Sequence, residues 1–97
     1  MTYTVEMSSA TFRKVKKTSQ VVKEEVVSQA KRLSKNQDLG ERLRGKYKKL
    51  RSLHFVFVKT DYRIIYLVDK KSKVVLVLWV GTRENLYKEL DRLKLRL

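Results

Sequence analysis

Two apolar runs, residues 64–68 and 74–80, stand on either side of the polar stretch Asp69-Lys70-Lys71-Ser72-Lys73. β-Branched residues dominate both runs and neither contains proline, which is the pattern of a β-hairpin. Strict alternation of polar and apolar residues is missing, so both faces of these strands have to be covered, as in the middle of a sheet. The chain's own helices can supply one cover, and a partner is a candidate for the other. Arg63 sits among aliphatic neighbours on this hairpin, and Arg83 and Tyr87 follow it. A guanidinium on a central strand is costly unless it has a partner or a ligand.

A chain of 97 residues with 42% hydrophobic content is expected to form one domain, 1–97, with its own core. Its 24 Lys+Arg against 10 Asp+Glu leave a formal net charge of +14. That much charge on a small domain repels itself and attracts a polyanion or an acidic protein. The chain has no cysteine, which excludes disulfides, thiol catalysis and cysteine-ligated metal and agrees with a reducing compartment. The first residues hold no apolar leader and no run is long enough to span a bilayer, so a cytoplasmic protein without membrane contact is expected. His54 is the one histidine; with distant carboxylates it makes no zinc site, and neither a metal nor another cofactor is expected.

Along the chain, Tyr3, Val5 and Met7 alternate with polar residues, predicting a strand over 2–7. A first helix is expected over 10–17 with Phe12 and Val15 inward. Thr18 and Ser19 start a second, whose stripe is Val22, Val26, Ala30 and Leu33, with Asn36 and Gly40 as its breakers. These helices read as a hairpin packed on one sheet face. Residues 41–52 are the least regular and most basic, with Arg42, Arg44, Lys46, Lys48, Lys49 and Arg51 around Tyr47 and a turn at Gly45. Two readings fit them: a platform for a phosphate backbone with an aromatic for a base, or a strand edge protected by lysines.

A third apolar run, 53–58, completes a meander with 62–68 and 74–80, and the N-terminal strand joins at one edge. A turn with an even number of residues before Tyr62 puts His54, Val56 and Val58 on the face of Arg63. After Gly81, Thr82 is expected to cap a final helix with Leu86, Leu90, Leu93 and Leu97 as its apolar stripe and Lys88, Arg92, Lys94 and Arg96 as its basic side. The order is N-terminal strand, helical hairpin, three-stranded antiparallel meander and C-terminal helix, an α+β domain.

No P-loop, GxGxxG, HExxH or serine–histidine–acid spacing is present. What remains is a cationic set with one histidine and several tyrosines. Such a set suits RNA cleavage by the RNA's own 2′-hydroxyl, which needs charge stabilisation at phosphorus and proton transfer but no metal. Arginine can grip two phosphate oxygens at once.

Tyr62-Arg63-Ile64-Ile65-Tyr66, the hairpin into Val74-Val75-Leu76-Val77-Leu78, and Val80-Gly81-Thr82-Arg83 followed by Tyr87 resemble the core of the RelE/ParE toxin superfamily. The leading Leu43-Arg44-Gly45 is also similar. The resemblance implies a type II toxin–antitoxin toxin: an mRNA interferase that cuts mRNA in the ribosomal A site and leaves a 2′,3′-cyclic phosphate. It implies that Arg63 stabilises the pentavalent phosphate, Arg83 holds the substrate phosphate, Tyr87 stacks on a base or assists proton transfer, and His54 is the general base. Arg44, Lys46, Lys48, Lys49, Arg51 and Lys59 become the RNA-binding residues. The implied partners are mRNA, the ribosome and a cognate acidic antitoxin, with an antitoxin-mediated hetero-oligomer.

Two departures stand out. Val56 occupies the place of a family lysine, for which Lys59 or Lys49 would substitute, and the spacing from Arg83 to Tyr87 is one residue shorter. The alternatives implied are a ParE-like inhibitor of DNA gyrase acting through the C-terminal helix, or a catalytically degenerate member that binds only antitoxin or nucleic acid.

Overall fold

The computed structural model describes residues 2–82 and 84–97. Arg83, named above as a phosphate-holding residue, lies outside the described residues. The elements run β1 (Thr4–Met7), α1 (Ser9–Lys16), α2 (Gln20–Lys35), β2 (Glu41–Arg42), a 3₁₀ turn (Gly45–Tyr47), β3 (Leu50–Phe57), β4 (Thr60–Asp69), β5 (Val74–Thr82) and α3 (Leu86–Leu93). The strands form one sheet of order β1-β5-β4-β3-β2. β1 is parallel to β5; the other pairs are antiparallel. The expected α+β order is therefore present, extended by the short edge strand β2.

The two hairpins close in different ways, the first against local preference, since Val58 is a β-branched residue at positive φ, and the second with it. Phe57 pairs with Thr60, so β3 and β4 are joined by Val58 and Lys59 alone, with φ of 48° and 61°. Positive φ at both central residues is the geometry that continues strand twist. The turn is even, and His54 stands opposite Arg63 on one face. Between β4 and β5, the Asp69 carboxylate accepts the backbone N–H groups of Ser72 and Lys71 and the Ser72 hydroxyl. These bonds, led by that from the Ser72 N–H, hold its pKa below the ordinary carboxylate value.

One sheet face carries Leu53, Phe55, Ile64, Tyr66, Val75 and Val77 and packs against Val15, Val26, Ala30 and Leu33 of the helical hairpin. Ser8 caps α1 and Ser19 caps α2, each accepting an N–H three residues on, Thr11 and Val22. Thr11 and Val15 of α1 face the sheet, one helical turn apart, and Thr11 is 4% exposed. Phe12, expected inward, is rotated by about 100° from Thr11 and is 53% exposed.

The opposite face carries Leu50, Ile65 and Trp79, covered by Leu86 and Leu90 of α3 and by Tyr47. The second cover therefore comes from this chain where α3 and the 3₁₀ turn reach. A register shift in β5 opposite Ile65 and Tyr66 helps: Ile65 pairs with Trp79 and Tyr66 with Val77, so Leu78 is bulged and packs with Trp79 on the α3 side. The cap of α3 is not Thr82, which ends β5, but Asn85, at φ 60° and without a side-chain cap bond. The helix stops at Leu93 because Lys94 turns left-handed at φ 49°. Leu93 and Leu97 are consequently exposed, and the buried stripe is Leu86 and Leu90.

Gly40 was expected to break α2. The C-cap is Asn36, and Gly40 instead lies against β3 and β4: a Cβ there would stand 2.8 Å from the Ser52 carbonyl carbon and 2.9 Å from the Tyr66 ring. Gly45 does adopt φ +64° at the start of the 3₁₀ turn.

Candidate functional site

Arg63 leaves β4 on the α3 side of the sheet, beyond the area that α3 covers. Its neighbours across the strands are His54 on β3 and Gly81 on β5. Its terminal Nη1 donates to the Ser52 hydroxyl at 3.1 Å. Ser52 is two residues before His54 on the same face and is 4% exposed. Among the described residues, the buried Nε of Arg63 has no hydrogen-bond partner and no carboxylate forms an ion pair with this guanidinium. A half-buried cation with donors to spare is poised for an anionic ligand.

Two recesses meet at this side chain. The larger, about 680 Å³, is lined by Arg42, Leu43, Arg44, Tyr87 and Lys88, with Asn85 and Leu86. The other, about 390 Å³, is lined by Arg32, Leu39, Leu53 and His54. Arg63, Ser52 and Glu41 line both. One guanidinium thus forms part of the wall between a hollow that holds Tyr87 and a hollow that holds His54.

His54 is half exposed, and its Nε2 lies 3.1 Å from an Asp61 carboxylate oxygen. An ionised carboxylate only accepts, so Nε2 carries the proton in the neutral ring and Nδ1 is the basic nitrogen. Asp61 lies on the same face, opposite Val56, so the hairpin register itself brings acid and imidazole together. Asp61 was not singled out from the sequence; the even turn and the spacing of seven residues were the signal that could have found it.

Tyr87 lies one position into α3 and is 44% exposed. Its hydroxyl oxygen accepts the Arg44 backbone N–H at 3.2 Å, which leaves its own hydrogen available to donate. Its ring sits 6.0 Å from that of Tyr47. Tyr47 donates to the Asp91 carboxylate, which also pairs with Lys46 at 2.9 Å. These bonds, that from Tyr47 first, hold the Asp91 carboxyl below its ordinary pKa, and the same bond lifts the Tyr47 phenol above its own.

The structure does not gather all the basic residues of 41–52 in one place. Arg44 lines the larger recess. Lys48 and Lys49 are exposed just before β3. Lys46 is engaged with Asp91 and lies over the Tyr47 ring. Arg51 stands opposite Tyr66, on the α1/α2 face, where its guanidinium donates to the Gly40 carbonyl at 2.7 Å and lies 3.4 Å from Asp38. It is bound internally and lines neither recess. Lys59 is at the hairpin tip, four residues or about 13 Å along the strand from Arg63. Among the lining residues that escaped sequence reading are Ser52, Arg32, Glu41 and Lys88. Each shares its recess with residues distant in sequence.

Among the described residues no helix is long and apolar enough to cross a membrane, and no group of three or more His, Cys, Asp or Glu side chains could hold a metal ion.

A family model described as the ParE-like toxin of type II bacterial toxin-antitoxin systems matches residues 5–91. No curated protein matches. Among solved structures, the toxin-antitoxin complex RelBE2 from Mycobacterium tuberculosis holds a chain with 27% identity and a TM-score of 0.75, covering 86% of this chain and 100% of that one. A double arginine-to-alanine mutant of the E. coli toxin RelE in the free state superposes with a TM-score of 0.76 at 21% identity, covering 98% and 100%. The same mutant in complex with an antitoxin RelB peptide gives a TM-score of 0.72 at 20% identity and full coverage of both chains. The last two likenesses speak for the fold.

Proposed function

The chain belongs to the ParE-like toxins of type II bacterial toxin-antitoxin systems, and from that premise we propose that it is a ribosome-dependent mRNA endoribonuclease that uses the RNA's 2′-hydroxyl as nucleophile and no metal. The observation that carries this reading is the place of Arg63 between two recesses, one lined by His54 and the other by Tyr87. Displacement at phosphorus is in line, so the group that takes the proton and the group that gives one back must approach from opposite sides. A phosphate seated on Arg63 would have a base on one side and a phenol on the other.

In this reaction Nδ1 of His54 takes the 2′-hydroxyl proton while Asp61 holds the ring through Nε2 and steadies the imidazolium that forms. The 2′-oxygen forms a bond to phosphorus, and the bond from phosphorus to the 5′-oxygen breaks. Arg63 stabilises the charge on the non-bridging oxygens, held in place by Ser52. Tyr87 donates its hydroxyl proton to the departing 5′-oxygen, with Arg44 N–H stabilising the phenolate that results. The products are a 2′,3′-cyclic phosphate and a 5′-hydroxyl. The net charge of +14 supports docking on ribosomal RNA and silencing by an acidic antitoxin. The neighbour solved with a RelB antitoxin peptide supports the same partner class.

Purified protein is added to ribosomes programmed with end-labelled mRNA, and cut sites and end groups are mapped. Cuts bearing 2′,3′-cyclic phosphate are expected, with Arg63→Ala slowing them by at least ~100-fold while circular dichroism stays unchanged. Intact mRNA together with inhibition of DNA supercoiling by gyrase would replace this reading with the gyrase one.

A further inference from the structure

The nuclease reading leaves open which way an RNA strand lies across Arg63. We infer that the recess shared by Arg32 and His54 binds the nucleotide on the 5′ side of the cut, and that Arg32 on α2 holds the phosphate upstream of it. This rests on the nuclease reading for its polarity. The nucleotide that supplies the 2′-hydroxyl must lie beside the base, and His54 lines only the Arg32 recess. The nucleotide that leaves through its 5′-oxygen must lie beside Tyr87, in the recess of Arg42, Arg44 and Lys88. The scissile phosphate sits between them, on the guanidinium that both recesses share.

The fold makes room for the upstream strand. β2 pairs only through Glu41–Ser52 and Arg42–Arg51, so the outer edge of β3 is unpaired by β2 from Leu53 onward. Through this gap the recess continues from the Arg63 face to α2, which lies on the other side of the sheet. Arg32 waits there. Its Nη1 donates to the Gln29 side chain at 2.7 Å, and Gln29 in turn donates to Glu25 at 2.9 Å, which aims the guanidinium while leaving donors for a phosphate.

The test is a cycle between protein and RNA charges. The probe is a short RNA with a 2′-deoxy residue at the cut, bound in solution and followed by anisotropy, made with a methylphosphonate at the upstream or the downstream phosphate. Arg32→Gln should weaken binding of the unmodified probe about tenfold. Neutralising the upstream phosphate should weaken the unaltered protein equally and leave Arg32→Gln unaffected, whereas the downstream change should add to it in full. Lys31→Gln, an equal charge loss at the next position of α2, should show no such coupling. Coupling of Arg32 to the downstream phosphate, or to neither, overturns the assignment. A cleavable version of the probe on programmed ribosomes keeps the two readings apart: cuts by the unaltered protein without Arg32 coupling sink only this subsite. Coupling without cuts sinks the nuclease reading and leaves Arg32 as an RNA contact.

Discussion

Tyr47 of the 3₁₀ turn donates its hydroxyl hydrogen to Asp91 of α3, and this bond ties the basic segment to the helix that carries Tyr87. Lys46 reaches the same carboxylate oxygen. Because Asp91 is depressed by these partners, its contribution is present above the ordinary carboxylate pKa and is lost as pH falls through the folded value. Tyr47 is raised by the same bond, so its contribution is present below the ordinary phenol pKa and is lost as pH climbs toward the folded value. Asp91→Asn should therefore lower the urea midpoint at neutral pH and flatten the stability profile at both its acid and alkaline ends. Urea titrations from acid to strongly basic pH check this; an unchanged profile would show that the latch contributes nothing.

The Tyr66 hydroxyl accepts the Gly40 N–H and donates to the Gln37 carbonyl, both at 2.8 Å, inside a side chain with no exposed surface. Burial raises its pKa above that of a free phenol, with the Gly40 N–H pulling the other way. Tyr66→Phe leaves two backbone groups without their partner and should cost about 1–3 kcal/mol. Denaturant unfolding at neutral pH measures it.

A side chain at position 40 has no space. Gly40→Ala would drive Cβ against the backbone of Ser52, and relief requires β3 to shift. A stability loss of about 1–3 kcal/mol is expected, with a drop in cleavage larger than stability alone explains, since Ser52 anchors Arg63. Activity measured well below the melting temperature separates the two effects.

Ser52→Ala removes the one side-chain hydrogen bond that the Arg63 guanidinium makes among the described residues. The loss of a charge-assisted bond should reduce kcat about tenfold with little change in KM. Ser52→Thr, which keeps the hydroxyl, should restore part of the rate. Single-turnover cleavage on programmed ribosomes reads both variants.

Arg44 and Arg51, close in sequence, should part company in solution. Arg44→Gln should reduce the salt dependence of single-stranded RNA binding by about 0.7 in log–log slope. Arg51→Gln should leave that slope unchanged and lower thermal stability, because its guanidinium serves Gly40 and Asp38. Equal slopes for the two variants would return Arg51 to the RNA-binding surface.

What was legible in the sequence was what repeats at short range. The α2 stripe of Val26, Ala30 and Leu33 and the β-branched runs of β4 and β5 announce their elements through periodicity, which needs no knowledge of neighbours. The pairing of His54 with Arg63 was also within reach, since an even turn fixes strand parity. Tertiary structure decided the rest. Phe12 faces outward because packing on the sheet turned Thr11 and Val15 inward, and a two-turn helix has no room for a second inward stripe. Gly40 is a glycine for the sake of Ser52 and Tyr66, not for α2. Arg51 is internal because β2 folds onto β3 and turns it toward Gly40. Ser52, Asp61 and Arg32 join the site through contacts that cross strands or span the sheet edge. Local propensity determines which elements form, but a site is made of side chains whose nearness depends on register and packing, and those are set only once the whole sheet closes.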